Sequence, residues 1–181
     1  MLRILILVFL VSLSSQVNAN NKNQIIEKLK NTKNLSFDFE QNINGKIEFG
    51  NCTIQYPKKM FCKYDQKNKV MVSNGKSLVI KSTSGYYRYA LDKTPLNFIL
   101  DKNFLINKIN DLDEENINNS LIKFIIKENH QSIEIFFDTN EYNLIGWQTK
   151  DLYQNTAVTL LFSIKLNQVI DEKIFKTPLQ N

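Results

Sequence analysis

Two cysteines, one histidine and a scatter of carboxylates are the side chains in this sequence with chemistry to offer. Cys52 and Cys62 flank Pro57-Lys58, a natural turn. On the two arms of a hairpin they have equal parity, so both side chains leave the sheet on one face. With the turn centred on Pro57 they sit directly opposite. Facing residues at a non-hydrogen-bonded site have Cα atoms about 4.5 Å apart, at the near edge of the disulfide range; a one-residue register change would make them diagonal and harder to bridge. The reading is a Cys52–Cys62 disulfide formed in an oxidising compartment. A redox or metal site fits poorly, because the spacing is not CxxC and a single histidine cannot complete a ligand set.

That histidine, His130, falls in a polar turn beside Asn129, and any Ser-His-Asp or Cys-His site would have to be built around it alone. GxSxG, HExxH and glycine-rich phosphate loops are absent from the sequence. The adjacent pairs Asp113-Glu114 and Asp171-Glu172 read as solvated loop charges, not acid/base couples. The expectation is a protein that is not an enzyme, with no cofactor and no metal.

The elements carrying these residues follow from periodicity. Asn23 to Asn34 has Ile25, Ile26 and Leu29 on one helical stripe. From Leu35 the period becomes two, with Phe37 and Phe39 alternating against Asp38 and Glu40. Ile47 and Phe49 keep odd parity while Cys52, Ile54 and Tyr56 carry even parity, which predicts a bulge at Gly50-Asn51. Met60–Tyr64, Lys69–Ser73, Ser77–Ser82 and Tyr86–Tyr89 follow as strands with short turns, Asn74-Gly75 among them with both residues at positive φ. Thr94-Pro95 predicts a capped start for a short apolar helix through Leu100. Asp111 to Asn119 is acidic and polar, hence a loop. Leu121–Lys127, Ile133–Phe137, Leu144–Thr149 and Ala157–Leu166 form a second antiparallel run, and the segment with Ile174, Phe175 and Pro178 is a tail pinned to the sheet. Eight or nine strands with two or three helices predict an α+β fold: an incomplete (half) antiparallel β-barrel with short helices covering its open face.

The chain begins like an export signal, with Arg3, the apolar run Ile4–Leu13 and small residues before Ala19. That run is too short for a membrane span of roughly 20 residues. Residues 1–19 are read as a signal peptide and 20–181 as a single domain. The cleavage point has no cysteine near it, so the mature start carries no thiol for a lipid of its own. The formal charge of +5 is spread along the chain, with no stripe or motif of a nucleic-acid binder.

An apolar surplus remains at Phe37, Phe39, Ile54, Met60, Leu96, Phe98 and Ile99, where a curved sheet and its helical cover face one another. A ligand cavity and a packed core share this pattern, and composition leaves both open.

Leu35-Ser36-Phe37-Asp38-Phe39-Glu40-Gln41, the strand ending at Pro57, Val72-Ser73-Asn74-Gly75-Lys76, Thr94-Pro95-Leu96 and the closing Phe175 with Pro178 occur in an order that resembles the outer-membrane lipoprotein carrier (LolA-like) family. The resemblance implies a monomeric periplasmic shuttle whose cavity takes up the acyl chains of outer-membrane lipoproteins. An inner-membrane lipoprotein-releasing ABC transporter would load it and an outer-membrane lipoprotein receptor would unload it. The alternative is a periplasmic lipoprotein-sensing or receptor module of the same half-barrel fold. Such proteins usually carry a second domain, for which this length leaves little room. Many relatives have an arginine just before the turn proline, where its hydrogen bonds hold the lid helices; this chain has Tyr56, with one hydroxyl in place of a five-donor fork. Met60 stands at a cavity-lining aromatic position. The acyl-chain site so implied comprises Phe37, Phe39, Ile54, Tyr56, Met60, Leu96, Phe98 and Ile99. The cysteine pair is not part of the family pattern.

Overall fold

The computed structural model describes residues 21–66, 68–128, 131–150 and 155–179. The export signal read at residues 1–19 and the Asn129-His130 turn lie outside the described residues. Helix α1 (Asn21–Asn31) is followed by β1 (Asn34–Ile43), β2 (Lys46–Gln55), β3 (Lys59–Tyr64), β4 (Val70–Asn74), β5 (Ser77–Ser82) and β6 (Gly85–Ala90). Helices α2 (Leu96–Leu100) and α3 (Lys102–Asp111) come next, then β7 (Glu115–Ile117), β8 (Leu121–Glu128), β9 (Gln131–Asp138), β10 (Leu144–Lys150) and β11 (Thr156–Leu166).

The strands form one antiparallel sheet of 11, in the order β6-β5-β4-β3-β2-β1-β11-β10-β9-β8-β7. Two meanders are joined where β1 pairs with β11, and β6 and β7 are the two free edges, so the sheet is open. Alternation along the strands gives it one strongly apolar inner face. There Leu35, Phe37, Phe39, Ile54, Met60, Phe124, Ile135 and Phe137 join Ile25 and Leu29 of α1, Phe98, Ile99 and Leu100 of α2, and Leu105 and Ile109 of α3 in a single core. The helices thus lie on one face because their apolar stripes have nowhere else to be buried. The described helices include none long and apolar enough to cross a membrane.

Several local expectations change. The strand count rises from eight or nine to 11 among the described residues, partly because the polar stretch read as a loop contains the edge strand β7. All three residues of that strand are exposed, so it has no apolar alternation to announce it. The β1–β2 register is uninterrupted, and Gly50-Asn51 is not a bulge. Ile47 and Phe49 instead point outward, 46% and 48% exposed, while Glu48 and Gly50 take the inner positions of β2. The irregularity lies in the β1–β11 pairing, where Ser36 faces Lys165 but Asp38 faces Phe162, and Ser163 on the longer arm has φ 51°.

Gly75 has φ +94°, whereas Asn74 ends β4 and its side-chain oxygen accepts from the Lys76 and Ser77 N–H groups. Asn74 therefore closes the turn by hydrogen bonding, not by positive φ. Thr94 does not cap α2: its hydroxyl donates to the Leu91 carbonyl, closing the preceding 3₁₀ turn Leu91–Lys93. Cys52 and Cys62 are paired residues of β2 and β3, joined by a disulfide with Cα atoms 4.1 Å apart. The tail segment Glu172–Phe175 packs on β3 and β4, with Phe175 buried. There the Glu172 carboxylate accepts from Gln55 at 2.7 Å and Lys59 at 2.6 Å.

Candidate functional site

All eight residues read as cavity-lining belong to one apolar assembly: Phe37, Phe39, Ile54, Met60, Phe98 and Ile99 are buried in it, and Leu96 and Tyr56 are half-buried against it. Phe37 meets Trp147 edge-on at 6.2 Å, and Phe39 meets Tyr64 edge-on at 5.0 Å. Helix and sheet residues alike lose solvent completely: Ile54 and Met60 from below, and Ile99, Leu100, Leu105 and Ile109 from above, are all 0% exposed. The helices therefore rest directly on the sheet. The hollow that opens onto this cluster, beside Leu29, Leu35 and Tyr56, measures about 10 Å³.

Polar contacts fasten the cover at the margin. The main-chain N–H of Lys58, in the β2–β3 turn, donates to the Leu100 carbonyl at 2.8 Å. Lys58 Nζ lies 3.0 Å from Asp101 Oδ2, and the Ser73 hydroxyl donates to the Lys58 carbonyl at 2.6 Å. Asp101 also caps α3 by accepting from the Phe104 N–H at 3.1 Å. Lys102 then ties α3 to α1, donating at 3.2 Å to the carbonyl of Lys30 in the last turn of α1 and at 2.9 Å to that of Thr32 just beyond it, where a cation meets the negative end of the helix dipole. Partial burial holds the Lys102 ammonium below its usual pKa. Its Nζ is 5.6 Å from the Tyr56 ring centroid. The Tyr56 hydroxyl is wholly buried with no partner among the described residues, and burial pushes its pKa well above the ordinary phenol value. Tyr56 thus makes no hydrogen bond to the cover through its hydroxyl; Lys58, Asp101 and Lys102 hold it instead.

Sequence reading missed those three residues. A signal for one was present, since Asp101 stands three residues before Phe104 at the start of an apolar-periodic stretch, which is N-cap spacing. Nothing local marks Lys58 or Lys102, whose partners are distant in sequence. A second missed feature closes the other end of the inner face. Glu48 accepts from Lys46 at 2.9 Å and Lys69 at 2.6 Å. Lys69 Nζ also sits 3.8 Å from the Tyr64 ring centroid, and the Tyr64 hydroxyl donates to Gln41 at 3.1 Å. Burial alone would raise the Glu48 pKa, but the hydrogen bonds and the positive charges of the two lysines together outweigh burial and hold it below the usual carboxylate value.

Asp101→Ala removes both the cap and the Lys58 ion pair. A lost N-cap costs about 1 kcal/mol and a half-exposed ion pair under about 1 kcal/mol. The expected result is amide exchange in α2 and α3 faster by roughly tenfold, with β8 and β9 unchanged. Equal protection in the variant would show that these contacts do not hold the cover.

An uncharacterized conserved protein from Thermus thermophilus has a similar solved structure, with a TM-score of 0.51 at 7% identity over 87% of this chain and 92% of that one. A LolA-superfamily protein from Nitrosomonas europaea aligns with a TM-score of 0.44 at 10% identity, over 88% of this chain and 99% of the other. An outer membrane lipoprotein-sorting protein domain from Vibrio parahaemolyticus, described as putative, aligns at 0.45 and 10% identity, over 86% and 97%. No curated protein matches the sequence. The sequence profile of the family described as outer membrane lipoprotein carrier protein LolA matches residues 30–178, from the end of α1 to the tail packed on β3 and β4, and the chain belongs to that family.

Proposed function

We propose that this protein is a non-enzymatic periplasmic carrier that takes up the acyl chains of lipoproteins between its helices and its sheet and moves them from the inner to the outer membrane. The observation carrying this reading is the continuous apolar contact between the two layers. Ile54, Met60, Phe98 and Ile99 are buried against one another's layer, with the charged fastenings Lys58, Asp101 and Lys102 at its edge. Membership of the lipoprotein-carrier family supports it.

The half-barrel reading belongs to this proposal: curving the open sheet around the helices lets both walls line one space when the cover lifts. Each methylene withdrawn from water is worth about 0.8 kcal/mol, so several acyl chains supply a strong driving force. Lifting the helices re-exposes their own apolar stripes unless the ligand covers them. Self-packing of the empty protein therefore competes with the ligand and keeps affinity moderate, which suits a carrier that must also release. The partners in this scheme are a lipoprotein-releasing ABC transporter at the inner membrane and a lipoprotein receptor at the outer one.

Residues 20–181 incubated with inner-membrane vesicles holding a labelled lipoprotein, its transporter and ATP should bring label into solution as a one-to-one complex. Label that stays in the vesicles, with a transporter shown to be active, would exclude the carrier role.

A further inference from the structure

At the α1 end of the apolar interior, Tyr56 Oη and Asn143 Oδ1 are both buried with no hydrogen-bond partner among the described residues, and both residues border the hollow of about 10 Å³. Its other walls include Leu29, Leu35, Leu144 and Leu166. Buried polar atoms in folded proteins are nearly always paired, so two orphans on one hollow point to an occupant. Thr32, also on its border, is already engaged, its hydroxyl donating to the Lys28 carbonyl at 2.8 Å.

The two side chains approach from opposite sides. Tyr56 follows β2 and Asn143 precedes β10, with β1 and β11 between those strands, a main-chain separation of roughly 14 Å at ordinary strand spacing. The Asn143 amide is oriented by its Nδ2, which donates to Glu141 Oε2 at 2.8 Å, and its main-chain N–H donates to Asp138 Oδ2 at 2.9 Å. Oδ1 is the atom left over. Tyr56 is fixed by its main-chain N–H, which donates to the Lys33 carbonyl at 3.0 Å. The hollow is therefore bordered by a residue with an unpaired hydroxyl donor on the β2 side and by one with an unpaired carbonyl acceptor on the β10 side, within largely apolar surroundings.

We propose that Tyr56 and Asn143 form a recognition site for the secondary amide at the head of an N-acyl chain. The amide carbonyl accepts from the Tyr56 hydroxyl and the amide N–H donates to Asn143 Oδ1. A trans amide directs these two groups oppositely, as the two walls require. In the closed protein, about 10 Å³ admits no more than one water, so the amide enters only when α1 lifts and the hollow widens. An ester satisfies Tyr56 equally but sets its alkoxy oxygen, a second acceptor, against Asn143 Oδ1. The site therefore selects amide-linked over ester-linked chains. This inference rests on the carrier reading and specifies its ligand.

The test is displacement of an apolar fluorescent dye from residues 20–181 by N-methylpalmitamide and by methyl palmitate. The amide should bind about five- to tenfold more tightly, the factor that one net hydrogen bond supplies. Asn143→Leu should abolish that preference, and Tyr56→Phe should weaken both ligands by roughly fivefold while leaving thermal unfolding unchanged or improved. Should Asn143→Leu fail to fold, the wild-type preference and Tyr56→Phe decide. Equal binding of amide and ester by the wild-type protein, or unaltered binding by Tyr56→Phe, would overturn the site and leave the carrier role standing. Displacement by neither ligand would remove the carrier role and the site together.

Discussion

Gly50→Val should lower unfolding stability by roughly 3 kcal/mol or more, read as the shift in urea midpoint. Gly50 occupies an inner position of β2 directly opposite Phe39 in the β1–β2 ladder and opposite Tyr64 in the β2–β3 ladder. A Cβ placed there would lie 2.2 Å from the Lys63 carbonyl oxygen and 2.8 and 2.9 Å from two carbons of the Phe39 ring. The carbonyl belongs to the neighbouring strand and cannot retreat without opening the ladder. The ring is 3% exposed and already braced against Tyr64, so it has no alternative rotamer space. Both neighbours resist, and valine adds two methyl groups beyond the Cβ. A variant within about 1 kcal/mol of wild type would mean that Phe39 does not cover this glycine.

Loss of the disulfide should rank next. Cys52→Ala with Cys62→Ala should cost about 2–3 kcal/mol, because the closed loop is short and the unfolded chain regains the freedom of its closure. The cysteines are 5% and 1% exposed, between Phe37 on β1 and Met71 on β4 in the same cross-strand row. The bond thus clamps the middle of the first meander, not a peripheral turn. Reductant should move the wild-type midpoint to that of the double variant and leave the variant where it is. A wild-type protein indifferent to reductant would refute the clamp. Alkylation of the native oxidised protein should label neither position.

Much of the architecture was legible because period is a direct consequence of strand and helix geometry. The alternation of Leu35, Phe37 and Phe39 against Ser36, Asp38 and Glu40 identified β1 and its inner face. Pro57 between Ile54 and Met60 located the hairpin that places Cys52 opposite Cys62. The same logic failed at Ile47 and Phe49, where apolar side chains face outward and the inner positions hold Glu48 and Gly50. Hydrophobicity misleads there because the inner face has local needs that outrank it. Glu48 is neutralised by Lys46 and Lys69, and Gly50 leaves room for the Phe39 ring. Within β2 only Lys46 is visible as a partner, since Lys69 and Phe39 come from other parts of the chain.

The antiparallel character, the apolar face, the cysteine pairing and the family could be read along the chain, because these rest on short-range spacing or on the order of motifs. How the cover is held, and how far apart the walls stand, depends on contacts between distant segments. Lys58 finds Asp101, and Lys102 finds the carbonyls at the end of α1, across separations of 43, 70 and 72 residues. A filled interior and a hollow one follow the same binary pattern, since polarity along a strand reports which face turns inward and carries no information on the distance to whatever lies above it. Only the placement of the helices brings Ile99 and Leu100 down onto the sheet and leaves Tyr56 and Asn143 facing one small hollow between them.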